Sequence, residues 1–168
     1  SSPSNGDWAS IDFFDEATDA TFDGNGDYSS GSIIEHTQIK YGGGSGKYGS
    51  ITSTNIGLSL NQISIEHSDS AGISIAGGSG GTTPLMKITN SSITNNDEHG
   101  IRCHCYQITA AITIDNNVIS NNEAGGINTS GGDSGGSHTF VFTNNTVTNN
   151  SGTGILAYAN PGGPGYTQ

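Results

Sequence analysis

The chain has 168 residues, with 15 acidic and four basic side chains, a formal net charge of −11 and only 30% apolar residues. So acidic a surface lacks the basic footprint that nucleic acid or an anionic membrane requires. No apolar run nears the ~20 residues of a membrane-spanning helix. Such low apolar content suits a disordered chain, unless a repeat stacks a few inward side chains per turn into one continuous core.

Taken in order, residues 1–7 are loop chemistry, and Trp8 to Phe13 alternates apolar and polar residues like a strand. Residues 14–32 break the period and read as an acidic loop insertion carrying Asp15, Glu16, Asp19, Asp23 and Asp27. A repeat then takes over. Apolar anchors five apart recur at Ile34 and Ile39, Leu60 and Ile65, Ile88 and Ile93, Ile114 and Ile119, Phe142 and Val147, at steps of 26 or 28 residues. Self-similarity at such a period is the mark of a stacked solenoid.

Each coil reads as three short strands. One follows a glycine (Gly72-Ile73, Gly100-Ile101, Gly126-Ile127, Gly154-Ile155), and the other two are centred on the anchors. Runs of three to five residues with period two, separated by Gly and Asn, are strands that pair with the coils above and below, about 4.8 Å away. The Asn after each anchor (Asn90, Asn116, Asn144; Asn95, Asn121, Asn149) marks a left-handed corner where stacked amides form ladders. His36 and Gln62, then Tyr41 and His67, hold those columns in the earlier coils. Glycine-rich excursions at 77–81 and 131–136 and a Pro/Gly-rich tail at 159–168 complete a single all-β domain, 1–168.

These residues resemble the right-handed parallel β-helix proteins of the pectate-lyase-like superfamily, in their generic Asn-rich repeat class, over about residues 8–158. The blocks Asn5-Gly-Asp-Trp8-Ala-Ser-Ile11 and Gly31-Ser-Ile-Ile-Glu-His36-Thr-Gln-Ile39-Lys-Tyr41 are similar to stretches of its large secreted members. The resemblance implies a right-handed β-helix of about five coils. About activity it says less, because the fold serves lyases, hydrolases, tailspikes and adhesins alike. Lyases of this fold use a basic residue beside a uronate, commonly with Ca²⁺, whereas Arg102 is the only arginine here. The hydrolase-type Asn-Thr-Asp, Asp-Asp and Gly-His-Gly motifs are absent.

Three groups of residues invite chemistry. Asp23, Asn25 and Asp27 place oxygens at i, i+2 and i+4 on a glycine-rich loop, a spacing that suits Ca²⁺ once Asp19 or another nearby carboxylate joins. The alternative is a polar turn that uses the same residues for backbone freedom. Asp69, Asp97 and Glu123 stand three residues before successive coil glycines, so they align in a column about one strand spacing apart. With His99, Arg102 and Glu98 beside them, Asp97 and Glu123 have the separation of a retaining glycosidase pair; the same spacing could bind a cation, and a solvated acidic turn is the default reading. Cys103 and Cys105 point inward and His104 outward, so they do not converge on a metal. Two free thiols filling a buried column are expected, since a bridge fits an extended strand poorly.

No amphipathic helix precedes Trp8, and Pro161 and Pro164 prevent a helical cap at the other end. Exposed strand edges call for a partner: either the rest of a larger β-helix or other copies stacked end to end. The expected role is an extracellular or cell-surface interaction module. The alternative is a polysaccharide-acting enzyme or glycan-binding module working along a strand face.

Overall fold

A computed structural model describes residues 2–77, 85–105, 110–131 and 138–159. The excursions at 78–81 and 132–136 and the tail from 160 lie outside the described residues. Strand β1 (Ile11–Phe13) is followed by an antiparallel hairpin of β2 (Thr21–Phe22) and β3 (Tyr28–Ser30), then by β4 (Ile33–Glu35) and β5 (Gln38–Lys40). A second level holds β6 (Gly49–Thr54), β7 (Ser59–Asn61) and β8 (Ser64–Glu66), and a third β9 (Ala71–Gly77), β10 (Leu85–Thr89) and β11 (Ser92–Thr94). The fourth has β12 (His99–Cys105), β13 (Ala110–Asp115) and β14 (Val118–Ser120), and the fifth β15 (Gly125–Gly131), β16 (His138–Thr143) and β17 (Thr146–Thr148). Strand β18 (Ile155–Ala159) opens a further turn.

Like strands of successive levels pair in parallel. The first sheet runs β1-β6-β9-β12-β15-β18, the second β4-β7-β10-β13-β16 and the third β5-β8-β11-β14-β17. Among the described residues, then, the chain is an all-β parallel solenoid of three-strand coils, five levels joined by four steps. The expected anchors stack in register: Ile34, Leu60, Ile88, Ile114 and Phe142 on the second sheet, and Ile39, Ile65, Ile93, Ile119 and Val147 on the third. Their inner members, with Ile73, Ile101 and Ile127 of the first sheet, have no exposed surface.

The corners explain why so short a strand suffices. His36, Gln62, Asn90, Asn116 and Asn144, between the second and third sheets, have φ of 50–55°. Tyr41, His67, Asn95, Asn121 and Asn149, between the third and first, have φ of 53–62°. One left-handed residue turns the chain from sheet to sheet, and Asn bears that backbone at least cost among non-glycine residues. The buried ladder, however, lies one residue further on. Asn122 Oδ1 accepts from the Asn96 amide at 3.1 Å and from Asn96 Nδ2 at 2.8 Å, while Asn122 Nδ2 donates to Asn150 Oδ1 at 2.9 Å. Asn117 and Asn145 repeat the arrangement at the other corner.

The cysteines require a correction. Both point inward and are fully buried, as the strand period indicates, but they are not free thiols: Cys103 and Cys105 form a disulfide. Their Cα atoms are 5.6 Å apart, shorter than two full strand rises and inside the range a bridge tolerates. The room comes from the neighbouring levels, where Cys105 faces Gly77 on one side and Gly131 on the other.

Candidate functional site

The outer face of the first sheet carries Arg102, with His99 at the start of the same strand. Asp12, Thr52, Ser74, Arg102, Asn128 and Leu156 form one outward column. Arg102 Nη1 lies 3.0 Å from Glu98 Oε2, and its guanidinium sits 5.2 Å from the ring centroid of Tyr48, which is 64% exposed. Phe14 and Tyr48, with Asp12, Lys47, Thr52 and Ser74, line a groove of about 440 Å³. Asn128 Nδ2 lies 3.2 Å from His99 Nε2; with the amide as donor, the ring proton is on Nδ1, which is buried and has no partner among the described residues. Burial pushes His99 below its ordinary pKa; Glu98 opposes this and Arg102 reinforces it. Burial lowers His104 too, joined by the charges of Arg102 and His99. Both imidazoles are therefore shifted toward the neutral form.

The acidic column takes the expected register. The amide of Asp97 donates to Ser68 O and that of Glu123 to Asn96 O, each at 2.9 Å, which stacks Asp69, Asp97 and Glu123 one coil apart. The column is not open along its length. Asn5 Nδ2 donates to Asp97 Oδ1 at 2.7 Å, and Gly6 packs against the Asp69 side chain. Arg102 and His99 share a face with Glu98, which Arg102 takes up. The arrangement suits recognition through an aromatic ring, a guanidinium and hydroxyls. Tyr48, Asn128 and Asn5 carry no signal in sequence, since each becomes relevant only through a neighbour on another coil.

The calcium-spaced residues form the hairpin turn. Asp23 Oδ1 accepts the amides of Asn25 and Asp27, each at 2.9 Å, and these bonds hold its pKa below the ordinary carboxylate value. Asp19 turns elsewhere, its Oδ1 accepting from the Gly57 amide at 2.7 Å. Among the described residues, no three His, Cys, Asp or Glu side chains converge as metal ligands.

Asp12 supplies a pH test of the first-sheet face. Burial alone would raise its pKa. Hydrogen bonds from Lys47, Ser10 and Thr52 outweigh that and, with the Lys47 charge, hold it at about 2. The folded value lies below the roughly 3.9 of an unfolded Asp, so this contribution is complete above about pH 4 and is lost as pH falls through 2. Because the pair is partly solvated, its expected size is about 1 kcal/mol. Denaturant titrations at pH 5 and pH 2 should show Asp12→Asn losing less stability over that interval than the parent chain. Equal losses would remove the assignment.

The last level differs from those inside. Along the three inward columns, burial is complete at Ile114, Ile119 and Ile127, yet Phe142 and Val147 are only partly buried and Ile155 is 42% exposed. At the other end, Ile11, Phe13 and Ile34 are likewise partly buried. Among the described residues, β16, β17 and β18 pair on one side only, as do β1, β4 and β5.

A family model described as a right-handed β-helix region matches residues 27–164. Neither a curated protein nor a solved structure matches the chain.

Proposed function

This chain belongs to the right-handed β-helix family, and from that premise we propose that it is an extracellular interaction module, stacking tail to head on further copies of itself. The observation that carries the reading is the loss of burial at Phe142, Val147 and Ile155, in columns whose inner members are completely covered. Among the described residues, the tail offers one strand edge from each of the three sheets, and so does the head. The insertion reaches Gly57 and Lys87, on the inner levels, and so leans away from the head. Stacking a copy there sets its β4 on β16 and its β5 on β17 and covers apolar surface at both ends, while β18, the sixth strand of the first sheet, takes the rung of the copy's β1. A head-to-tail contact that does not close on itself generates a filament.

Sedimentation velocity and negative-stain electron microscopy over a concentration series test this. Concentration-dependent assemblies growing into fibres are expected, and Val147→Asp with Ile155→Asp should return folded monomers by placing charge in the contact. A parent chain that stays a monodisperse monomer at the highest concentration defeats the proposal.

A further inference from the structure

The three sheets do not have the same number of strands. Among the described residues the first has six and the second and third have five each, because β18 opens a turn that the other two sheets do not complete. The mismatch matters where one copy meets the next. With β4 of the incoming copy on β16 and its β5 on β17, the place beside β15 is claimed twice, by the resident β18 and by the incoming β1. The register makes this explicit. Ile11 lies beside Ile51 at the foot of the column that runs through Ile73, Ile101 and Ile127 to Ile155, so Ile11, Asp12 and Phe13 match Ile155, Leu156 and Ala157. One of the two strands must yield.

They are fastened very differently. Strand β1 pairs with β6 over only three residues, but side chains tie it down. Asp12 accepts from Lys47 Nζ at 2.6 Å and from the hydroxyls of Ser10 and Thr52. Just before it, the Trp8 indole donates to Lys40 O at 2.7 Å, and the Gly43 amide donates to Ala9 O at 2.6 Å. Trp8, Ile11 and Phe13 pack against the core. Strand β18 pairs with β15 over five residues, and Thr129 Oγ1 donates to Leu156 O at 3.2 Å. Ile155 and Leu156 are each 42% exposed. Peeling β1 would break an ion pair and several side-chain bonds as well as a ladder. Peeling β18 breaks chiefly an edge ladder with little apolar cover, the low-stability kind of element from which moving parts are drawn. Once β18 is off, Ile11 of the next copy can lie on Ile127, and Phe13 can lie on Thr129 where Ala157 was.

We propose that β18 is a gate on the tail: it occupies the β15 edge in the single chain and lifts to admit β1 of the next copy. The gate rests on the end-to-end stacking above and says what regulates it. Phe142 and Val147 stay in the contact, whereas Ile155 leaves with its strand and Ile11 takes its place. On the first sheet a ladder of five residues gives way to one of three, offset by new ladders on the other two sheets. In the single chain nothing offsets the lost ladder, so the open form is the minor one. Light scattering and electron microscopy of fibre formation by the whole chain test this with two variants. Leu156→Pro with Ala157→Pro removes the N–H of both residues, whichever faces β15, and so unfastens the strand. It should lower the concentration at which fibres appear by at least about tenfold, since the competent form is no longer drawn from a minor population. Asn128→Cys with Leu156→Cys sets two thiols opposite each other on the outer face, about one strand spacing apart, where a bridge fits. Oxidised, that chain should stay a folded monomer, and reductant should restore fibres. The parent chain in the same reductant is the control, because the Cys103–Cys105 bridge has no exposed surface. Circular dichroism confirms that each variant is folded. If the parent forms fibres but the proline variant needs the same concentration, or the stapled chain assembles as readily as the parent, the gate is overturned and the stacking stands. If no chain assembles, both fall.

Discussion

Asn122→Ala is expected to lower the unfolding free energy by about 4 kcal/mol, the net result of stranding several buried polar groups at once. Asn122 has no exposed surface, and its side chain ties three levels together. Its Oδ1 takes the amide and Nδ2 of Asn96, and its Nδ2 gives to Ile93 O at 3.2 Å and to Asn150 Oδ1. Alanine leaves the two Asn96 donors without partners and takes one bond from the Ile93 carbonyl, where water does not reach. For a chain of this size the melting temperature should fall by roughly 10 °C. Asn116→Gly is the contrast: Asn116 is exposed, has φ of 55°, and holds Asn90 Oδ1 through one solvated bond at 2.7 Å. Glycine accepts that backbone freely, so a change of less than about 1 kcal/mol is expected. Urea titrations of the two variants settle the matter. If Asn122→Ala costs no more than Asn116→Gly, the inner ladder is not what holds the coils together.

That contrast also shows how far the sequence could be read. Anchors five apart were legible because the strand period and the corner together dictate which residues face inward. The left-handed corners were legible because Asn is among the few residues that tolerate them. Which Asn of each pair turns inward was not legible: the corner residue reverses the chain, and Asn121 and Asn122 are identical in every compositional sense. The doubled Asn was the available signal. Asp69, Asp97 and Glu123 could be aligned by counting from the coil glycines, but Asn5, 92 residues from Asp97, could not be placed over them. Lys87 and Gly26 are 61 residues apart, so nothing local showed that the insertion is pinned to the second sheet as a wall. The paired sulfurs escaped for a different reason. An ideal strand sets Cys103 and Cys105 at the far limit for a bridge, and the shortening to 5.6 Å between their Cα atoms has no signal in the residues themselves.

The coil glycines carry the other large effect, and their role is steric as much as conformational. A Cβ on Gly100 would stand 2.6 Å from Ile119 Cγ2, 2.9 Å from Asn122 Nδ2 and 2.9 Å from Gly126 O. One coil earlier, a Cβ on Gly72 would meet the same three kinds of atom: Ile93 Cγ2 at 2.6 Å, Gly100 O at 2.8 Å and Asn96 Nδ2 at 3.1 Å. The glycine is therefore the space into which the third-sheet anchor and the ladder amide pack. Gly100→Ala should cost about 3 kcal/mol, the upper end for overfilling a tight interior. A backbone account and a packing account separate in a double-mutant cycle with Ile119→Ala, which removes the clashing methyl. If packing governs, Gly100→Ala costs at least about 1 kcal/mol less in the Ile119→Ala background. Strict additivity would move the cause from the Ile119 contact to the backbone of the coil itself.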